Sequence, residues 1–330
     1  ILATKLKTMN KIKAIHRLLL IFLVLAISSC TEDVMDEVNR ELNNTTEMGL
    51  DKLIPDILLK SAFESTGSDM AWYSSVYMEH NTGSWNQMNN ADIRAAQEAG
   101  TNLNNSWNAL YDVMNTCYLV LQRTSEGGED EGSLLARGIA QVIMAYNLAI
   151  ATDGWGEVPF AEAFQGAQTL QPAYENQSEI YARVDQILDE AIANLEVADT
   201  DLTTDLIFDG DPQAWIRAAW SLKARYAMRL THVNGAEASS SESLAALARG
   251  FKSPEHALIF DHYEATATGE NPWFQFFNDR SQHSCSQSLY NLLDVRNDPR
   301  MDVYWTVLAD SIRPAPNGTS DQTQGGVYSQ

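Results

Sequence analysis

The stretch Asp153-Gly154-Trp155-Gly156-Glu157-Val158-Pro159-Phe160-Ala161-Glu162-Ala163-Phe164 decides how the chain is read. It follows directly on an apolar helical run, Ala140 to Ala151, that ends at Thr152. Gly154 and Gly156 are expected to break that helix, and Pro159 to keep it from restarting at once. Trp155, Val158, Pro159, Phe160 and Phe164 are too apolar for a freely solvated loop. The segment therefore reads as a joint packed between helices, its short turns relying on the two glycines. Asp153 and Glu157 carry the competing readings, a site wall with paired carboxylates or a binding surface.

On both sides of this joint the pattern is helical. Leu103, Trp107, Leu110, Tyr111, Met114, Cys117, Tyr118 and Leu121 recur on one face of an α-helix. Leu135, Ile139, Val142, Ile143, Tyr146 and Ile150 repeat the pattern up to the joint. Ile180, Val184, Ile187, Leu188, Ala191, Ile192 and Leu195 form a third stripe, with Asn176 and Glu179 as a capping box ahead of it. Asp211-Pro212 reads as N-cap and first position of a fourth helix, Gln213 to Val233, whose apolar face carries Trp215, Ala219, Leu222, Tyr226 and Leu230. Leu50 to Glu64 and Ser241 to Arg249 are further helices. Paired antiparallel helices that each bury one face stack into a bundle or solenoid. Small residues such as Ala140, Ala145, Ala218 and Ala224 favour close approach, which points to the tetratricopeptide type. The expected fold is mainly α, with a helical domain over 49–255.

After Pro254 the character changes. Ala257 to Phe260 could be extended, and Asn271 to Arg280 is aromatic and polar. Leu289 to Leu293 is a short helix, Asp298-Pro299-Arg300 begins a turn, and Tyr304 to Ala309 is a last apolar segment. The tail is loop-like to Gln330. Residues 256–330 read as the start of an irregular second lobe, cut short.

The N-terminus reads as a targeting segment. Met9 is the expected start, with residues 1–8 upstream of it. Lys11, Lys13 and Arg17 precede an apolar run, Leu18 to Ile27, too short to span a bilayer as a helix. Ile27-Ser28-Ser29-Cys30 then forms a lipobox, so Cys30 is the expected lipidation site. Multiple acyl chains on one residue anchor stably. Residues 1–29 are the upstream and signal segment, and 30–48 a polar, flexible tether.

The formal charge is −22, from 22 basic and 44 acidic residues. No acidic residue and five of the basic ones precede Cys30, which leaves 17 against 44, a charge of −27. That argues against nucleic acid, polyanionic ligands and anionic lipid surfaces as partners. The mature length allows one large core or two lobes. Besides Cys30 there are only Cys117 and Cys285, enough for one disulfide, but Cys117 lies on an apolar stripe and reads as a buried thiol. No later apolar run looks long enough to cross a membrane.

Three segments together resemble the SusD/RagB superfamily, best its SusD-like branch of Bacteroidetes. They are D-G-W-G-E-V-P-F-A-E-A at Asp153 to Ala163; Tyr174 followed by I-Y-A-R-V-D-Q-I-L-D-E-A at Ile180 to Ala191; and W-I-R-A-A-W-S-L-K-A-R-Y-A-M-R at Trp215 to Arg229. N-D-P-R at Asn297 to Arg300 is a weaker match. Glu32 and Asp33, just after Cys30, resemble the surface-export signal of Bacteroidetes lipoproteins. The resemblance implies tetratricopeptide-like units and a surface-exposed outer-membrane lipoprotein that acts as a lid on a SusC-like TonB-dependent transporter. It implies glycan ligands, with peptides in some branches. Members usually continue well beyond this length.

Little else in the sequence supports chemistry. Nothing complements Asp153 and Glu157 as a glycoside hydrolase pair. There is no H-E-x-x-H, no G-x-S-x-G, no P-loop and no dinucleotide fingerprint, so no catalytic residue, cofactor or metal is expected. His256 and His262 read as surface histidines. Arg217, Arg225, Arg229 and Lys223 read as ion pairs holding helix to helix, with Asp153 or Glu157 as partners. Two stretches fit a ligand better: Asp69 to Asn90 and Asn271 to Arg280 set tryptophans among amides. Sugars need a flat apolar face and groups that donate and accept around the ring. Trp85 and Trp273 are the expected platforms, with Asn81, Asn89, Asn278 and Arg280 as polar partners. The competing reading is that these tryptophans plug a seam between lobes. A peptide-capturing importer subunit and a surface glycoside hydrolase are the alternative functions.

Overall fold

The computed structural model of the chain describes residues 48–95, 103–199, 201–319 and 326–330. The signal segment, Cys30 and the tether as far as residue 47 lie outside the described residues. In chain order the elements are α1 (Leu50–Lys60), running into a π-helical turn (Ser61–Ser65), α2 (Asp69–Tyr77), β1 (Asn81–Gly83) and α3 (Asn86–Asp92). The long helices α4 (Asn104–Arg123), α5 (Leu134–Trp155), α6 (Gln177–Glu196) and α7 (Pro212–Arg229) follow, with α8 (Thr231–Asn234) and α9 (Ala236–Leu247). The chain then makes α10 (Pro272–Arg280), β2 (His283–Cys285), α11 (Gln287–Asp294) and α12 (Met301–Tyr304). The fold is mainly helical, as the stripes require, and residues 49–330 form one unit.

α5 is the centre. It packs against α4, α6, α1 and α7. Leu135, Ile139, Val142, Met144 and Leu148 point to different sides of it and are all buried, as a helix apolar on all sides demands. By length and composition α5 is apolar enough to cross a bilayer, contrary to the expectation from the sequence, but most of it is enclosed by protein. Cys117 and Cys285 are buried free thiols.

The caps fall where the sequence sets them. Asn176 and Glu179 form the capping box of α6, and the Asp211 carboxylate accepts from the Gln213 amide at 2.8 Å. Trp215, fully buried on α7, donates its indole N–H to Asp205 at 2.7 Å.

Gly154 does not break α5, which runs on to Trp155 and ends at Gly156 in the left-handed region, φ 79°. A helical glycine costs roughly 0.5–1 kcal/mol. The edge-to-face contact of Trp155 with Trp107, centroids 5.3 Å apart, is worth about the same in the other direction. The joint itself is packed down: Val158 is buried and bridges to Glu175, and the Tyr111 hydroxyl donates to the Pro159 carbonyl at 2.7 Å. Asp153 accepts from the Tyr181 hydroxyl at 2.5 Å and pairs with Arg229 at 3.0 Å. This carboxylate clamps α5 to α6 and α7, while Glu157 is exposed.

Other departures are local. α7 ends at Arg229 rather than running to Val233, and α9 starts at Ala236 rather than Ser241. Residues 257–260 have no regular structure. Residues 69–77, 86–92 and 272–280 are helical although their polar and aromatic mixture shows no clean period.

The α5–α6 contact makes a prediction. Alanine at an ordinary helical glycine gains about 1 kcal/mol of propensity. At Gly138 the added Cβ would lie 2.4 Å from the Leu195 Cγ. Overpacking costs about 1–3 kcal/mol, so Gly138→Ala should lower the denaturation midpoint, and Leu195→Ala in the same chain should relieve the clash. Urea melts of the two variants check both outcomes.

Candidate functional site

β1 and β2 pair antiparallel, with Asn81 opposite Cys285, Thr82 opposite Ser284 and Gly83 opposite His283. This ladder joins the first stretch that the sequence singled out to the strand that follows the second, about two hundred residues away. It continues through the Ser84 amide to the Gln282 carbonyl, 2.9 Å, and the Ser84–Ser284 hydroxyl pair, 2.7 Å. Gly83 is required there because a Cβ would lie 1.8 Å from the Met88 carbonyl oxygen. The later chain locks the ladder from the side. Thr82 donates to the Ala315 carbonyl at 3.0 Å, and Asn317 donates to the Thr82 hydroxyl at 2.8 Å. The Cys285 amide donates to the Ser329 carbonyl at 2.7 Å.

α10 is set against this ladder by its own start signal. Asn271 caps it, accepting from the amides of Trp273 and Phe274 at 3.0 and 3.2 Å, with Pro272 in the first turn. The helix then lays Trp273, Phe276 and Phe277 around His283. Centroid distances to the imidazole are 5.5, 5.1 and 5.1 Å. Phe276 continues onto Trp72, 4.3 Å away. Burial holds the pKa of His283 down to about 4, while a weak contact to the Trp72 carbonyl works the other way.

Beside this cluster lies a cavity of about 390 Å³. Its aromatic walls are Trp273, Phe260, Tyr263 and Tyr146, and its polar groups include Ser61, Thr66 and Asn271. Phe260 and Tyr263 are themselves held by Phe63, centroids 5.9 and 5.2 Å away. Burial raises the pKa of Tyr146, whose hydroxyl is hydrogen-bonded to Thr66. A mixed aromatic and hydroxyl lining of this kind suits a neutral, ring-shaped polar ligand. Among the described residues, no group of three or more His, Cys, Asp or Glu could hold a metal.

The expected site residues are divided. Trp273 is half-buried and lines the cavity. Asn81, paired with Cys285 in the ladder, and Trp85, half-buried just beyond it at the start of α3, are not among the residues lining the cavity. Asn278 and Arg280 are exposed on α10, with Asn278 donating to Asp279 at 3.2 Å. Asn89 is only 1% exposed, and its amide donates to the carbonyls of Gly83 and Thr319, both at 3.1 Å, which makes it a structural clip. Sequence reading missed Phe260, Tyr263, Tyr146 and Asn271. The run Phe260-Asp261-His262-Tyr263 has the same aromatic and polar mixture as the stretches that were noticed; Tyr146 was hidden on a core stripe.

The chain matches the SusD-like family model described as "Starch-binding associating with outer membrane" over residues 42–327. None of the curated proteins matches it. Among solved structures it is similar to a SusD/RagB family protein from Bacteroides thetaiotaomicron, with 32% identity and TM-score 0.79, over 86% of this chain and 62% of that one. A chitin-binding protein is similar at 19% identity and TM-score 0.68, over 84% of this chain and 62% of that one. A chitin-binding SusD homolog from Flavobacterium johnsoniae is similar at 20% identity and TM-score 0.55, over 82% and 53%. The chain thus spans 62% or less of the length of each of these structures.

His283 makes a pH prediction. Above its ordinary pKa of 6.5 it is neutral folded or unfolded. As pH falls from there to about 4, the unfolded chain binds a proton that the folded one refuses. Stability should fall across that window, by roughly 3 kcal/mol in all, and this contribution should level off below it. Carboxylates in general ionise in the same range, so the readout is the difference between wild type and His283→Phe in denaturation midpoints between pH 7 and pH 4. The variant should lose less stability over the same window.

Proposed function

The chain belongs to the SusD-like family, and from that premise we propose that it captures oligosaccharides at the cell surface for a SusC-like TonB-dependent transporter in the outer membrane. The observation that carries this reading is the cavity beside the ladder, where Trp273, Phe260 and Tyr263 offer ring faces and Asn271, Ser61 and Thr66 offer polar groups. The family description as starch-binding and outer-membrane-associated supports it, as do the printed descriptions of two fold relatives as chitin-binding. In this reading residues 256–330 form the ligand-facing lobe on the helical domain. Asn81 in the ladder, Trp85 just beyond it, and Asn278 and Arg280 on α10 contact the parts of a longer glycan that leave the cavity.

The proposed protein is a binder and not an enzyme. Asp153 is tied to Arg229 and Tyr181 and serves as a clamp. Lipidation at Cys30 holds the protein on the membrane beside its transporter.

Covering about 60–100 Å² of sugar and indole surface contributes roughly 1.5–2.5 kcal/mol. Trp273→Ala should therefore weaken binding about tenfold or more, measured by calorimetry with maltoheptaose and chitohexaose. Because Trp273 also packs on Phe277 and His283, the melting temperature should fall somewhat, so binding is measured at a temperature where the variant is fully folded. Unchanged affinity contradicts the site; release of reducing sugar by the purified protein contradicts the non-enzymatic reading. Cys30→Ala should release the protein from the outer-membrane fraction in cells lacking the transporter, and retention there contradicts the anchor.

A further inference from the structure

The joint and α4 carry a feature that the cavity does not use. Trp107, Tyr111 and Tyr118 lie along α4 and are each half-buried. Phe164 of the joint bridges Tyr111 and Tyr118, with centroids at 6.4 and 5.5 Å. Tyr174 lies almost parallel to Trp107, at 17° and 6.4 Å, yet is 62% exposed. From Trp107 to Tyr118 the strip runs roughly 16 Å at the helical rise.

Each end of the strip opens into a groove. The one at Trp107 has a volume of about 740 Å³ and is rimmed by Asn105, Asn108, Asn115, Glu64 and Asp112. The one at Tyr118 and Phe164 measures about 230 Å³ and is rimmed by Gln141, Gln186, Arg183 and Glu190. Its polar groups are already tied together: Arg183 donates to Gln186 at 2.9 Å, and Gln186 donates to Glu190 at 2.9 Å. Preset donors and acceptors of this kind bind with little ordering cost.

A core packing role would bury Tyr174, and it does not. Ring faces in a row, with amides at both ends, match a chain of sugar rings that each present an apolar face and a hydroxyl edge. Asp112 at the rim is paired with Lys60 at 2.6 Å, but Glu64 beside it, on a chain of net charge −22, disfavours an anionic ligand. We infer that this strip is a second binding surface for a neutral oligosaccharide, separate from the Trp273 cavity, from which the turn at residues 61–68 divides it. The inference rests on the glycan-capture reading above and adds a second point of attachment to it. Two attachment points on one polymer raise its local concentration at each.

Calorimetry of the purified full chain with maltoheptaose, cellohexaose and chitohexaose tests it. Trp273→Ala should retain weakened binding of at least one of these glycans. Adding Tyr174→Ala, or separately the exposed change Asn115→Ala, should reduce that residual binding about tenfold while the melting temperature holds. If Trp273→Ala abolishes all binding, the cavity stands and the strip falls. If residual binding ignores both further changes, the strip falls as well. If Trp273→Ala changes nothing and Tyr174→Ala removes binding, the strip stands and the cavity falls. If wild type binds none of the three, both readings fall.

Discussion

α5 presents apolar side chains around most of its circumference, and in water such a helix is stable only when enclosed. Everything in the helical domain answers that constraint. α4 and α6 cover its two flanks, and α1 and α7 close further sides. Close approach demands small side chains at the contacts, and Gly138 against Leu195 shows how little slack remains. At its C-terminal end, Asp153 ties α5 to two neighbours through Tyr181 and Arg229. The acidic pair of the joint is thereby divided between a clamp and an exposed glutamate.

The second organising element is small. A two-stranded ladder of three residues per strand is weak by itself, yet it joins residues 81–83 to 283–285. Its strength comes from what surrounds it: the Asn89 clip, the Thr82 and Asn317 hydrogen bonds, and the ring cluster around His283. Holding a neutral imidazole among three aromatic rings gives the cluster its acid sensitivity. The same cluster positions Trp273 at the cavity, so the packing of the seam and the proposed ligand wall share one set of side chains.

Much of the helical domain was legible because its helices bury one face and polar residues mark their ends. Asn176 with Glu179 and Asp211 with Pro212 announced two helix starts correctly, since capping is a local hydrogen-bond need. The end of α5 was misplaced because Trp155 makes a tertiary contact with Trp107 that no local rule registers. The helices at 69–77 and 272–280 were missed because their sides face rings, backbone and solvent in turn, which erases a clean period. Even so, Asn271-Pro272 was a readable start signal. For the site, aromatic and amide-rich composition singled out a stretch that includes Trp273, which lines the cavity. It could not separate a platform from a clip such as Asn89, because that depends on which carbonyls the fold brings within reach.

In the proposed reading a glycan is held at the cavity walled by Trp273, Phe260 and Tyr263. Hydrogen exchange with and without saturating maltoheptaose or chitohexaose reads this directly, residue range by residue range. The account predicts slowed exchange in peptides covering 258–263 and 271–285 when glycan is bound. Full ligand occupancy with unchanged exchange in both ranges would contradict it.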